Sequence, residues 1–108
     1  MPLFMVQAKY SSEGWKAMID KPQDRSEASR EGVESLGGKL IGFWFSSGEF
    51  DMIAVAEFDD PLGGLAGYML PSSTDGFSKV QMTPLTTAAE AEQAMRKASD
   101  ARFRAPGR

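Results

Sequence analysis

The order of apolar segments in this sequence predicts an α+β fold. It is one four-stranded antiparallel sheet with helices on one face and an extra C-terminal helix. Two observations carry the prediction. The first is the succession of four short β-rich runs interleaved with helical stretches, in the order β-α-β-β-α-β. That order is the ferredoxin-like pattern, in which both crossover regions lie against the same sheet. The second is the pair of runs Lys39 to Phe45 and Asp51 to Phe58, joined across Gly48-Glu49-Phe50-Asp51. A short, polar, glycine-containing link between two β-rich runs reads as a hairpin.

The elements follow in order. Leu3 to Tyr10 is the first strand. Ser12 is the expected N-cap of a helix through Trp15, Met18 and Ile19, weakened by Gly14. Pro22 breaks that helix near Asp20-Lys21-Pro22, because a proline inside a helix removes a hydrogen bond and clashes with the preceding turn. Asp24 followed by Glu27 starts a second helix that runs to Leu36 and stops at Gly37-Gly38. Its apolar side is thin, only Ala28, Val33 and Leu36, so it is expected to lie on a surface. Arg25, Glu27, Arg30, Glu31 and Glu34 are then mostly in solvent.

Lys39 to Phe45 and Asp51 to Phe58 are strands two and three. Asp59-Asp60-Pro61 opens a glycine-diluted helix over Leu62 to Leu70, with Pro61 at its first position. Pro71 to Gly76 is loop, and Phe77 to Met82 is strand four, stopped by Pro84. Thr87 and Glu90 form a capping box for a last helix reaching about Arg102. The expected organisation is a domain over residues 1–86, a C-terminal helix over 87–103 and a disordered tail over 104–108.

Composition restricts function. With 12 basic and 15 acidic residues the net charge is −3, which gives no electrostatic footprint for nucleic acid or an anionic membrane. There is no cysteine and no histidine. Disulfides, thiolate nucleophiles, the commonest general base and the commonest metal ligands are therefore missing. We expect no metal centre and no cofactor. The N-terminal Met1-Pro2-Leu3 lacks the basic region of a signal peptide, and the apolar runs are too short to span a membrane as helices. A cytoplasmic location fits.

The strands pose a covering problem. A sheet with helices on one face should alternate apolar and polar residues. Leu40, Gly42 and Trp44 are expected on one face of strand two, and Ile41, Phe43 and Phe45 on the other. Met52, Ala54 and Ala56 likewise oppose Ile53 and Val55. Both faces of this hairpin, expected at the centre of the sheet, are thus apolar. On the outer strands Gln7, Lys9, Lys79 and Gln81 oppose Val6, Ala8, Val80 and Met82. A second copy of the chain would cover the open face, in a homodimer or higher homo-oligomer. A cavity between the two sheets could then take a small apolar or aromatic ligand.

Several motifs carry a resemblance. They are Tyr10-Ser11-Ser12-Glu13-Gly14, Asp20-Lys21-Pro22 with Arg25, Gly37-Gly38-Lys39, and Gly48-Glu49-Phe50-Asp51. In this order, over Leu3 to Thr87, they resemble the GYD domain family of small proteins related to the dimeric α/β-barrel group. The resemblance implies a ferredoxin-like fold and a dimeric α/β barrel. In the family's Gly-Tyr-Asp-like motif this chain has Glu49 inserted and Phe50 in place of tyrosine, so the phenol hydroxyl is absent.

The candidate site residues each admit two readings. Glu49 and Asp51 can share one side of a strand and act as an acid–base pair; alternatively Asp51 accepts backbone N–H groups in a turn. Tyr10, Trp15 and Trp44 can wall a planar ligand, or simply pack. Arg25 can grip an anionic group, or pair with Asp20, Asp24 or Glu49. Lys79 can face the cavity or protect an edge strand. The Gly63-Gly64-Leu65-Ala66-Gly67 stretch lacks the Lys-Ser/Thr of a phosphate loop. Three functions remain. The first is a dimeric ligand-binding or regulatory module. The second is a cofactor-independent monooxygenase- or isomerase-like enzyme using Asp51, Glu49 or Tyr10. The third is a structural subunit docking a larger partner through the helix carrying Ala91, Ala94, Met95 and Ala98.

Overall fold

The chain forms β1 (Leu3–Tyr10), α1 (Ser12–Asp20), α2 (Arg25–Ser35), β2 (Gly38–Phe45), β3 (Met52–Phe58), α3 (Pro61–Ser72), β4 (Phe77–Leu85) and α4 (Ala88–Asp100). The computed structural model describes residues 2–107. Met1 of the expected domain and Arg108 of the expected tail lie outside the described residues. The four strands form one antiparallel sheet in the order β2-β3-β1-β4. This is the ferredoxin-like topology the segment order predicts.

Local chemistry sets the boundaries. The cap of α1 is Ser11, one residue before the expected Ser12; its hydroxyl accepts from the Gly14 N–H at 3.0 Å. The same hydroxyl donates to the Asp75 carbonyl at 2.6 Å, and the Ser11 N–H to the Gly76 carbonyl at 2.9 Å. These bonds pull α1 onto the α3–β4 loop so closely that a Cβ on Gly14 would strike the Gly76 carbonyl oxygen. Gly14 therefore serves docking, at a cost in helix propensity. Asp24 caps α2 through the Ser26 N–H at 2.9 Å. The helix closes at Leu36, followed by Gly37 with a left-handed φ of 80° that glycine adopts freely.

Two expected stops are passed. Helix α3 runs through Pro71 to Ser72, where the Ser72 and Ser73 hydroxyls donate to the Tyr68 and Leu70 carbonyls. Strand β4 runs through Pro84 to Leu85, because β4 is an edge strand with one side free of ladder bonds.

The hairpin β2–β3 is not the centre of the sheet. The central strands are β3 and β1, and β2 is the other edge. The alternation expected for β2 is also interrupted. Leu40 pairs with Ala56 and Gly42 with Val55, so Ile41 is an extra, unpaired residue in a bulge. The bulge resets the parity. Leu40 and Phe43, expected on opposite faces, both pack on the core cluster of Ala8, Tyr10, Met52 and Ala54. Gly42 and Trp44 fall on the other face.

The core lies between the sheet and α1–α3. Trp15 and Met18 of α1 join the cluster around Tyr10, while Val33 and Leu36 of α2 join a second around Phe4, Ala56 and Phe58. Helix α3 presents glycine to the sheet: a Cβ on Gly64 would lie 2.6 Å from Phe4 Cε2, and one on Gly63 2.8 Å from Phe58 Cδ1. Its large residues Leu62, Leu65 and Met69 consequently face out.

Helix α4 is held by its own capping box, Thr87 Oγ1 accepting from the Glu90 N–H and Glu90 Oε1 from the Thr87 N–H. Every residue of α4 except Ala91 is exposed. The molecule measures 58 × 32 × 22 Å with a radius of gyration of 17.3 Å. A compact chain of this length would have about 13 Å, so the excess is consistent with α4 projecting from the body.

Candidate functional site

The link Ser46 to Asp51 brings β3 alongside the end of β1. The Ser46 N–H donates to the Asp51 carbonyl at 2.8 Å, and the Asp51 N–H to the Ala8 carbonyl at 2.9 Å. The β1–β3 pairing ends at Ala8 and Met52. There the Asp51 carboxylate takes over as a ladder acceptor, receiving the Tyr10 backbone N–H at 3.0 Å. Asp51 is 8% exposed and Tyr10 6%. Glu49 goes elsewhere. It is exposed and lies 3.8 Å from Lys79 Nζ. Lys79 in turn sits over the buried Phe50 ring, 5.2 Å from its centroid. The two acids therefore have separate partners, and the residue in the family's aromatic position is packed beneath a lysine.

Anchored this way, the Tyr10 ring becomes the hub of an aromatic cluster. It stacks on Phe77 at 4.9 Å and on Phe45 at 5.7 Å between centroids, and meets Trp15 edge-on at 5.2 Å. Such pairs each add about 0.5–1.5 kcal/mol beyond area burial. Arg25, the first residue of α2, is near enough to the phenol to influence its proton affinity. Burial pushes the Tyr10 pKa above the ordinary phenol value; the Arg25 guanidinium opposes this by charge and hydrogen bonding, and the Asp51 charge adds to the rise. At neutral pH the phenol is thus a neutral hydroxyl.

Tyr10 and Arg25 both line a cavity of about 390 Å³ between the helices and the sheet. Its floor is Val6, Phe43, Met52, Ala54, Ala56 and Phe58. Its roof is Ala28, Ser29 and Gly32 of α2, with Leu70 and Pro71 of α3. The cavity exists because α2 turns small side chains to the sheet. A Cβ built on Gly32 meets nothing within 4 Å.

The cavity is on the opposite side of the sheet from the one expected. Strand alternation puts Met5, Trp44, Ile53 and Val55 on the open face, away from Val6, Phe43, Met52 and Ala54. Trp44 is 54% exposed there, its indole folded over Gly42. The three aromatics expected to wall one ligand do not share a face: Tyr10 lines the cavity, Trp15 braces Tyr10 from α1, and Trp44 lies across the sheet. Among the described residues Arg25 pairs with none of Asp20, Asp24 or Glu49; apart from its effect on the phenol, its side chain makes a long hydrogen bond of 3.4 Å to Gln23 Oε1. Lys79 faces the open side, beside a shallow polar groove of Gln7, Glu49, Phe50 and Gln81. Sequence reasoning does not single out Phe45, Phe77 or Gly32. The small residues at 28, 29 and 32, spaced along one helix face, are the signal that could have found the cavity roof.

The family model for the GYD domain matches residues 4–95. The chain belongs to the GYD domain family. No protein of curated function matches this GYD domain. Solved structures share its fold at low identity. TTHA0845 from Thermus thermophilus has a TM-score of 0.50 and 16% identity, over 82% of this chain and 96% of that one. Atu4242 from Agrobacterium tumefaciens has a TM-score of 0.54 and 15% identity, over 82% of this chain and 94% of that one. Identity this low speaks to the fold, and function has to be argued from the site.

Proposed function

We propose that this GYD domain is a homodimeric small-molecule-binding module whose ligand occupies the cavity beneath α2. The observation that carries the reading is the cavity itself, about 390 Å³ with an apolar floor and a polar pair, Tyr10 and Arg25, on its lining. Small-molecule sites have this composition and volumes of roughly 300–1,000 Å³. The second copy is inferred from the open face, where Met5, Ile53 and Val55 are only half-buried and Trp44 is exposed. Two-fold pairing of this face is the simplest way to cover it. Dimer contact and ligand then use opposite faces of the sheet, so assembly leaves the route beneath α2 open.

The monooxygenase- or isomerase-like alternative finds less support. Asp51 already receives the Tyr10 N–H, and Glu49 lies by Lys79 on the other side. The docking alternative has one observation in its favour, the exposure of α4, where Met95 is 67% accessible. A helix of 13 residues is marginal without packing.

Native mass spectrometry of freshly purified protein tests the proposal. It should show a dimer carrying added small-molecule mass. Gly32→Leu, which places a side chain in the cavity, should remove that mass and keep the dimer. Val55→Lys should give a monomer by sedimentation. Gly32→Leu protein that retains the ligand would contradict the placement of the site.

A further inference from the structure

We infer that the ligand of this cavity is a small, largely apolar molecule bearing one acid group, held with its anion on the Arg25 guanidinium and the Tyr10 hydroxyl. The inference rests on the ligand-binding reading above and adds the chemical class. It starts from a charge imbalance. Arg25 is the one charged residue among the described lining residues. Among the described residues no carboxylate lies within ion-pair distance of it, and its bond to Gln23 is long. A guanidinium on an apolar cavity presents a fork of donors matched to a carboxylate or sulfonate.

The same imbalance selects against neutral ligands. A neutral apolar molecule filling the cavity would strip water from the guanidinium and give nothing back, and an uncompensated charge is costly to desolvate. An acid replaces that water with charge-assisted bonds. Tyr10 supplies the second contact. Its ring is locked by Trp15, Phe45 and Phe77, and its backbone by Asp51, so the hydroxyl is positioned before a ligand arrives. Asp51 does not line the cavity, and its carboxylate is engaged by the Tyr10 N–H. The floor then sets the body of the ligand. Met52, Ala54, Ala56 and Phe58 offer apolar contact only, and the lining hydroxyls Ser29, Ser73 and Thr74 lie on the helix side, where Ser73 and Thr74 already donate to the Leu70 and Pro71 carbonyls. An aromatic or branched aliphatic acid fits this surface; a sugar or a polyphosphate does not.

The test compares naphthoate with naphthamide, which share a bicyclic body and differ in charge. Calorimetric titration of the full chain should show naphthoate binding about tenfold tighter or more, the factor expected of a charged hydrogen bond. Arg25→Gln should narrow that ratio to about threefold or less, while Arg25→Lys, which keeps the charge, should hold most of it. Equal binding of the two compounds to the unaltered protein would overturn the assignment of an anion. So would a ratio that survives Arg25→Gln. If both compounds bind equally and Gly32→Leu excludes both, the cavity remains the ligand site and the acid class is wrong. If neither binds, the acid class fails together with the cavity reading for ligands of this size.

Discussion

Removing the Asp51 carboxylate should cost stability first and function only through it. In Asp51→Ala the Tyr10 N–H, on a residue 6% exposed, loses the acceptor it has at 3.0 Å. Leaving a buried donor unpaired costs about 1–3 kcal/mol. Taking about 2 kcal/mol, and about 4–8 °C of melting temperature per kcal/mol for a domain near this size, the midpoint falls by roughly 8–16 °C. Asp51→Asn keeps an amide oxygen in place of the carboxylate, so it should lose about 1 kcal/mol. The flanking main-chain bonds, Ser46 N–H to Asp51 and Asp51 N–H to Ala8, are untouched by either change. Thermal denaturation followed by circular dichroism gives the midpoints, and naphthoate titration at a temperature where the variants are folded gives the function. An unchanged midpoint in Asp51→Ala would refute the clamp. An Asp51→Asn protein with normal stability and no binding would move Asp51 from the scaffold into the site.

Further outcomes follow from the same geometry. Gly32→Ala should raise stability by about 0.5–1 kcal/mol, because α2 gains helix propensity and the new Cβ meets nothing within 4 Å; a lowered midpoint would mean the cavity roof is tighter than this. Gly64→Ala should lower stability by about 1–3 kcal/mol, since its Cβ would lie 2.6 Å from the buried Phe4 ring; a neutral result would show that α3 shifts freely. The raised Tyr10 pKa fixes an alkaline limb. The folded state holds the phenol proton more tightly than the unfolded chain. Stability from this group is therefore complete below the ordinary value of about 10 and declines as pH rises through the raised folded pKa. Tyr10→Phe should remove that part of the decline in alkaline denaturation curves, and a limb of unchanged depth would show that the phenol does not titrate late.

The architecture is written in the sequence where local rules act alone. Segment order, the Pro22 break, the Asp24 cap, the Gly37-Gly38 stop and the Thr87–Glu90 capping box are each short-range chemistry, and each appears in the fold. The departures come from tertiary context. Nothing in Lys39 to Phe45 marks Ile41 as a bulge residue, yet that one insertion moves Phe43 and Phe45 into register with Leu40. Strand position is equally hidden. An apolar run on both faces reads as a central strand, although β2 is an edge. The thin apolar side of α2 is legible, but it has two meanings. It can mark a helix lying loosely on a surface, or one that leaves space beneath it. The structure shows the second, with Ala28, Ser29 and Gly32 over the cavity. Asp51 stands out by sequence because it is an acid at a turn, and the backbone bond to Tyr10 explains an acid there without chemistry.

The face of the sheet that holds the ligand decides between the cavity and the open surface. A crystal structure of the protein grown with naphthoate answers this directly. Density should lie between α2, α3 and the sheet, with the carboxylate on Arg25 and Tyr10 and the rings against Met52 and Ala54. Density against Trp44 and Ile53 on the open face, with the space beneath α2 empty, would contradict it.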